Sequence, residues 1–183
     1  MKREDELQAV TVETVTPLEG PIVLVEYDPQ WPTIYSLEAE RLMSVLGARA
    51  FSIEHVGSTS VPGLAAKPII DIVLVVTDSA NEPDYVADLE TAGYVLRIRE
   101  PYWFEHRVFK GPAADINLHV FSTDCPEVTR MLAFRDRLRN SEVDRDRYAN
   151  TKRALARREW KYVQDYADAK TAAIQDILTR GSE

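Results

Sequence analysis

The chain of 183 residues is 45% hydrophobic and 28% charged, with a formal net charge of −8 at pH 7, which fits one globular domain and excludes a disordered or fibrous protein. Its pI of about 5.0 argues against a protein that coats nucleic acid, so no nucleic-acid partner is expected. No apolar run approaches the ~20 residues that cross a bilayer, and the single cysteine, Cys125, excludes an internal disulfide, so we expect a cytoplasmic location and no membrane partner.

The pattern of apolar and turn-forming residues predicts strands in the first two thirds of the chain and helices in the last third. Residues 1–20 are polar and are predicted to form a flexible arm, and residues 21–180 a single domain. In chain order, the domain is predicted to contain a strand over 22–26, a helix over 28–46, strands over 50–56 and 68–76, a helix at 82–92, strands over 94–99, 103–110 and 114–121, and three helices between 126 and 178. This order indicates the α+β class, with C-terminal helices packed on a mixed sheet.

Asp71 is the only polar side chain in the apolar strand predicted over 68–76. A carboxylate inside a buried strand costs several kcal/mol unless it is paired or binds a metal. Gly57 and Ser58 stand where the preceding strand ends, and a Gly–Ser turn that faces a strand carboxylate can hold phosphates on one side and Mg²⁺ on the other. Lys67 lies next to the strand and would reach such a phosphate. A structural ion pair of Asp71 is the alternative.

A row of polar side chains is predicted on the strand over 114–121. Asp115, Asn117 and His119 alternate along it and therefore share one face. His119 can act as a metal ligand or carry a proton, and the alternative is a histidine that is hydrogen-bonded inside a core.

Two other histidines flank the predicted site. Glu54 and His55 are neighbours on a strand, so only one of them can face the Gly–Ser turn, and both assignments stay open. His106 lies in a charged stretch and is predicted to be exposed.

The helical third supplies candidate groups for binding phosphate. Residues 130–161 contain eleven Lys or Arg against five Asp or Glu, and this excess either faces an anion or forms surface ion pairs. Arg135 is predicted to lie on a helix that packs on the sheet. Tyr148 and Lys152 are four residues apart and therefore share a helix face, which would suit stacking on a base and holding a phosphate, or ordinary packing.

Four stretches of the sequence match a known family. They are 27–31 (YDPQW), 53–72 (IEHVGSTSVPGLAAKPIIDI), 117–121 (NLHVF) and 132–138 (LAFRDRL). On these stretches the chain resembles the GrpB family, a domain of which is also found fused to dephospho-CoA kinase. The family is grouped with the nucleotidyltransferase superfamily, so the resemblance implies a mixed sheet of the nucleotidyltransferase type.

The resemblance also implies a mechanism. A nucleoside triphosphate, ATP or another, would be gripped by Gly57 and Ser58, with Mg²⁺ held by strand carboxylates, first Asp71 and then Asp115 from a neighbouring strand. The superfamily places a second acid two residues after the first, where this chain has Val73. Either one metal suffices, other ligands substitute, or the chain binds without catalysing.

The leading prediction is therefore a metal-dependent nucleotidyltransferase, with Asp71 and His119 as catalytic residues. The predicted nucleotide- and phosphate-binding residues are Gly57, Ser58, Lys67, Arg135, Tyr148 and Lys152. A non-catalytic accessory domain that binds a nucleotide or another anionic ligand is the alternative that Val73 favours, and another ATP-dependent transferase would use the same pocket. In each case the partner is a small-molecule nucleotide or anionic ligand, and no oligomeric state is predicted.

Overall fold

Five strands form one mixed sheet in the computed structural model, which describes residues 3–113 and 115–180. The strands are β1 (Ser52–Val56), β2 (Ile70–Val76), β3 (Val95–Glu100), β4 (His106–Lys110) and β5 (Ile116–Ser122). Their order across the sheet is β1-β2-β5-β4-β3. β2 and β5 run parallel, and the other neighbouring pairs are antiparallel. The parallel pair therefore joins the β1–β2 pair to the β3–β4–β5 meander.

Helices precede β1, connect β2 to β3 and follow β5. They are α1 (Arg3–Val10), α2 (Trp31–Leu46), α3 (Val86–Thr91), α4 (Pro126–Asn140), α5 (Glu142–Ala156), α6 (Val163–Ala169) and α7 (Thr171–Arg180). In the part of the chain that the structure describes, none of them has the length and apolar character needed to cross a membrane. The predicted α+β class, a mixed sheet with helices packed on it, is confirmed.

Both faces of β2 are covered, as its apolar sequence predicts. Ile72 and Leu74 point into the main core, which α2 and α3 complete. Val73 and Val75 point to the opposite face, where α4 packs on them and on Phe121. Asp71 belongs to the same face as Val73, because side chains alternate along a strand.

Three predicted elements differ from the observed ones. Residues 22–26 form no strand and contribute only an isolated bridge between Val25 and Ala66. The first long helix begins at Trp31, because the carboxylate of Asp28 accepts a hydrogen bond from the backbone N–H of Gln30 (2.8 Å) in the turn that precedes it. The C-terminal third holds four helices where three are predicted, since the chain breaks between α6 and α7 at Lys170.

The segment predicted to be an arm contains α1 and touches the sheet. Thr11 forms an antiparallel bridge with Ile98 of β3, and the N–H of Val12 donates to the carbonyl of Arg97 (2.9 Å). Unpaired backbone groups on an edge strand invite association with other chains, so these contacts protect the β3 edge. The division into an arm and a domain of residues 21–180 stays a prediction.

Candidate functional site

The Gly57–Ser58 turn lies directly against the carboxylate of Asp71. Val56 is opposite Asp71 in the β1–β2 pair, so the chain leaves β1 alongside that side chain. Gly57 has φ 69° and ψ −172°, a backbone conformation that is nearly restricted to glycine. A Cβ at this position would lie 2.5 Å from Oδ2 of Asp71. Both the backbone conformation and the close carboxylate therefore require glycine here.

The other carboxylate oxygen of Asp71 faces the polar row of β5. Asn117 is opposite Asp71 in the parallel pair, and its side-chain amide donates to Oδ1 (2.8 Å). His119 lies one pleat further along, with Nε2 3.6 Å from the same oxygen. The side chains of Asp71 and His119 are 28% and 21% exposed. The acid and the imidazole are therefore open to a ligand on this face of the sheet.

Asp71 keeps its negative charge despite its surroundings. Burial by itself raises the pKa of this carboxyl. Contacts with His119 and Asn117, together with the charge of Lys170, outweigh burial and hold the pKa below its ordinary value. Asp71 is therefore a carboxylate at neutral pH.

Three lysines lie in this region. Lys67 and Lys170 interact electrostatically with Asp71, and Lys152 interacts with Lys170. Lys67 precedes β2, Lys152 lies on α5, and Lys170 separates α6 from α7. Burial lowers the pKa of Lys67 and the pKa of Lys170, and the attraction of Asp71 opposes both decreases. Within residues 3–113 and 115–180, none of the three ammonium groups forms an ion pair with a carboxylate. The site thus has more positive charge than its own residues neutralise, which favours an anionic ligand.

Lys152 and Tyr148 connect this charge to the Gly–Ser turn. Lys152 is 2% exposed, its ammonium donates to the carbonyl of Ala65, and it lies 5.0 Å from the ring centroid of Tyr148. The side chain of Tyr148 in turn interacts with Ser58. Burial, helped by neighbouring basic side chains, lowers the pKa of Lys152 to about 7. Near neutral pH this lysine can therefore gain a proton when an anion binds.

A family model described as GrpB protein matches residues 21–180. The chain belongs to the GrpB family. It is 61% identical over 181 residues to the UPF0157 protein BH1888 of Halalkalibacterium halodurans, a match that covers 99% of this chain and 93% of that protein. The crystal structure of the conserved protein GrpB from Enterococcus faecalis is similar with a TM-score of 0.72 at 30% identity, covering 88% of this chain and 100% of the other.

Two partial likenesses accompany these GrpB relatives. The dephospho-CoA kinase of Mycolicibacterium paratuberculosis is 42% identical over 78 residues, which are 41% of this chain and 19% of that enzyme. A cytoplasmic RNA terminal U-transferase aligns with a TM-score of 0.46 at 15% identity, over 70% of this chain and 44% of its own. The predicted membership of the GrpB family is confirmed, and the likeness to the U-transferase is distant.

Most of the predicted site residues meet in one place. They are Gly57, Ser58, Lys67, Asp71, His119, Tyr148 and Lys152. Asp115 is a different case, because its carboxylate binds the ammonium of Lys110 (3.0 Å) and its side chain is 55% exposed. No contact between Asp115 and Asp71 occurs in the described ranges, so the polar row reaches Asp71 through Asn117 and His119.

Arg135 lies on α4, which packs on the sheet as predicted, but its guanidinium already forms ion pairs with two carboxylates. It binds the carboxylates of Glu54 and Asp136, both at 2.8 Å, and the carbonyl of His55 at 3.1 Å. In the structure these contacts fix α4 to β1, and the role of Arg135 in binding phosphate stays a prediction. The alternation of β1 is also resolved: Glu54 faces α4, whereas His55 stacks on Tyr35 of α2 (ring centroids 4.8 Å apart).

His106, its partner Glu100 and Lys170 also belong to this region but are not among the predicted site residues. His106 is buried, with 5% exposure, where an exposed side chain is predicted. It bonds His119 and Glu100. The alternation of β4 places His106 on the face of His119, a signal that the sequence does contain. Lys170 has no such signal, because only the folding back of the C-terminal helices brings it to Asp71.

The donor set limits the metal that this site can hold. Across the ranges 3–113 and 115–180, no three His, Cys, Asp or Glu side chains come together as a metal site. Asp71 is the lone acid, so a pair of resident metal ions does not fit. One Mg²⁺ that arrives with a nucleotide does fit, because this ion commonly binds one carboxylate together with substrate phosphates. Oδ2 of Asp71, next to Gly57, would then be the ligand, because Oδ1 accepts a hydrogen bond from Asn117.

We expect His55 to make the fold sensitive to acid. Its Nε2 lies 3.0 Å from Oγ1 of Thr59, whose hydroxyl donates to the carbonyl of Ile69, so His55 is the donor. Burial lowers the pKa of His55 to about 4. Between this value and the unfolded pKa of about 6.5, only the unfolded chain binds the extra proton, so stability falls by about 2–3 kcal/mol as the pH drops through that window.

Urea denaturation at pH 7.5 and 4.5 measures this effect. His55→Gln should lose less stability than the wild type between these two pH values, because glutamine does not titrate. An equal loss in both proteins would show that His55 does not contribute.

Proposed function

We propose that the protein is a nucleotidyltransferase that binds a nucleoside triphosphate beside the Gly57–Ser58 turn. The observation that supports this most directly is a group of three lysines without carboxylate ion pairs, in which Lys67 and Lys170 interact with Asp71 and Lys152 interacts with Lys170. Polyphosphates carry several negative charges, and charge-assisted hydrogen bonds from lysine are among the stronger interactions with phosphate. A neutral ligand would leave this excess of positive charge uncompensated.

The proposed binding mode assigns a task to each group. Lys67, Lys152 and Lys170 bind the phosphates, and Gly57 lets the nucleotide approach the backbone of the turn. Oδ2 of Asp71 holds the Mg²⁺ that accompanies the nucleotide, and the ion when bound neutralises charge on the phosphates. Asn117 keeps the carboxylate in place through its hydrogen bond to Oδ1.

A second candidate is a non-catalytic domain that binds a nucleotide or another anion in the same place. Val73 favours it, because this side chain occupies the position of the second acid and is fully buried in the cluster beneath α4. An acid there would face apolar neighbours, where a charge is costly. Catalysis therefore depends on one carboxylate and on the histidine beside it.

Binding is tested first, by calorimetric titration of each ribonucleoside triphosphate with Mg²⁺ into the wild type, Lys170→Met and Lys110→Met. Removing one charge-assisted contact should weaken binding about tenfold or more in Lys170→Met. Lys110→Met is the matched control, because Lys110 is half exposed and paired with Asp115, and its affinity should be unchanged. Absence of binding to the wild type would overturn the proposal.

Catalysis is tested separately with nucleotide labelled at the α- or γ-phosphate, incubated with small amines and alcohols. Transfer of the α-label with release of pyrophosphate is expected. Transfer of the γ-label would indicate another ATP-dependent transferase. Tight binding with no transfer of either label would favour the non-catalytic domain.

A further inference from the structure

Four side chains form a line across the sheet face that carries Asp71. Oε2 of Glu100 lies 2.7 Å from Nδ1 of His106, and Nε2 of His106 lies 3.0 Å from Nδ1 of His119. Nε2 of His119 is 3.6 Å from Oδ1 of Asp71. These residues belong to β3, β4, β5 and β2, which are adjacent in the sheet. The line therefore connects the edge of the sheet to the proposed nucleotide site.

The two imidazole rings are arranged for a hydrogen bond in the plane of the rings. Their planes differ by 6° and their centroids are 5.2 Å apart, although the facing nitrogens are only 3.0 Å apart. The rings thus lie edge to edge. Phe121 stacks on the His106 ring (4.5 Å), and Trp103 contacts it edge-on (5.1 Å). These aromatic contacts hold the His106 ring in one orientation.

The hydrogen bonds allow one arrangement of ring protons. Burial lowers the pKa of His106, and although the hydrogen bond to Glu100 opposes this decrease, the ring is neutral at slightly alkaline pH. A carboxylate only accepts, so His106 donates to Glu100 from Nδ1 and has a lone pair on Nε2. The bond between the rings then requires a proton on Nδ1 of His119, and neutral His119 presents a lone pair on Nε2.

We propose that Glu100 and His106 are positioning residues that hold the Nδ1 proton of His119, so that Nε2 of His119 takes the proton of the acceptor substrate. This inference rests on the proposed function. The gap of 3.6 Å between Nε2 and Oδ1 of Asp71 is too long for a direct hydrogen bond. Nε2 of His119 and Oδ1 of Asp71 both accept hydrogen bonds and face the same gap. A hydroxyl or amine group can donate to them, so we infer that the acceptor substrate carries one of these groups.

In the proposed transfer step, the acceptor substrate attacks the α-phosphate of the nucleotide and His119 takes its proton. The oxygen or nitrogen of the acceptor forms a bond to the α-phosphorus of the nucleotide, and the bond from that phosphorus to the bridging oxygen breaks. Pyrophosphate leaves with the electron pair, and the proton of the acceptor passes to Nε2 of His119. The carboxylate of Asp71 stabilises the resulting imidazolium.

Nitrogen-15 NMR of the histidine rings at pH 8 tests the proton arrangement without nucleotide or acceptor. In the wild type, Nδ1 of His119 should show the shift of a protonated nitrogen and Nε2 that of an unprotonated one. A proton on Nε2, or on both nitrogens, would overturn the inference. Because no ligand is present, this result is independent of whether the proposed function fails.

Variants of Glu100 test the positioning role. Glu100→Met removes the group that accepts from Nδ1 of His106, so we expect His106 to donate from Nε2 to Nδ1 of His119. The ring proton of His119 should then move from Nδ1 to Nε2, and the chemical shifts of its two nitrogens should exchange. Glu100→Gln retains an acceptor oxygen and should restore the wild-type pattern. Glu105→Gln, on the same hairpin but paired with Arg107, is the control and should leave His119 unchanged. A purely structural role for Glu100 would leave the shifts of His119 as they are in the wild type.

Discussion

Replacing Lys152 by methionine is expected to raise the free energy of unfolding by about 2–3 kcal/mol at pH 7, although it removes a group assigned to phosphate binding. A buried ammonium without a carboxylate partner is costly, and Lys152 is 2% exposed. Methionine has a similar length and keeps a contact with the ring of Tyr148. The lost hydrogen bond to the carbonyl of Ala65 costs about 1 kcal/mol and only partly offsets the gain. Stability and binding should therefore change in opposite directions.

The free energy of unfolding of the wild type should also depend on pH through Lys152. The pKa of Lys152 is about 7 in the folded protein and about 10.4 in an unfolded chain. Between these values only the unfolded chain binds the proton, so the wild type becomes more stable as the pH rises from 7 towards 10. Lys152→Met lacks this gain. Urea denaturation at pH 7 and pH 9 therefore measures a difference between the two proteins that shrinks at the higher pH.

Lys161→Met is the matched control, because Lys161 also lies over a tyrosine ring, 4.9 Å from the centroid of Tyr162, but is 62% exposed. Its stability and its dependence on pH should resemble those of the wild type. A Lys152→Met protein that unfolds more readily than the wild type at pH 7 would contradict the prediction. Calorimetric titration with Mg²⁺ and nucleotide should show a loss of affinity of about tenfold in Lys152→Met only.

Gly57→Ala is expected to cost about 3 kcal/mol of stability and to abolish nucleotide binding. The backbone conformation of Gly57 penalises any side chain by about 1–3 kcal/mol. The new methyl group would also lie 2.5 Å from Oδ2 of Asp71, so the carboxylate must shift, which disturbs its contacts with Asn117 and His119. Thermal or urea denaturation, read with nucleotide titration, measures both effects.

Gly63→Ala separates the two causes. Gly63 also has a positive φ of 78°, but a Cβ there meets nothing within 4 Å. Gly63→Ala should therefore be destabilised only by the backbone conformation. The double variant Gly57→Ala/Asp71→Ala removes the displaced carboxylate and should lose about 1 kcal/mol less than the two single variants together. Equal losses in Gly57→Ala and Gly63→Ala would show that the contact with Asp71 has no effect.

The sequence predicts the part of the site that depends on strand patterns. An apolar run interrupted by one acid locates Asp71 on a doubly buried strand. The alternation of β5 places Asn117 and His119 on one face, and the structure brings both to the acid. Local periodicity suffices for these residues, because the register of a sheet carries them across to the neighbouring strand.

The remaining parts depend on packing between distant segments. The ion pair between Arg135 and Glu54 has no signal in the sequence. It depends on how α4 packs on β1. Lys170 reaches Asp71 only through the order of the C-terminal helices. The position of Asp115 has a local cause, because its carboxylate forms an ion pair with Lys110 on the neighbouring strand.

The parallel pairing of β2 with β5 also determines when the site is assembled. Asp71 and Asn117 are 46 residues apart, whereas the partners within the β1–β2 pair and within the β3–β4–β5 meander are much closer in sequence. Closing the longer loop costs more entropy, so we expect the two local units to form first and dock afterwards. One unit carries Gly57 and Asp71, and the other carries Glu100, His106 and His119. A folding intermediate that contains both units undocked would have complete secondary structure and no site, so ligand binding would report specifically on the final docking step.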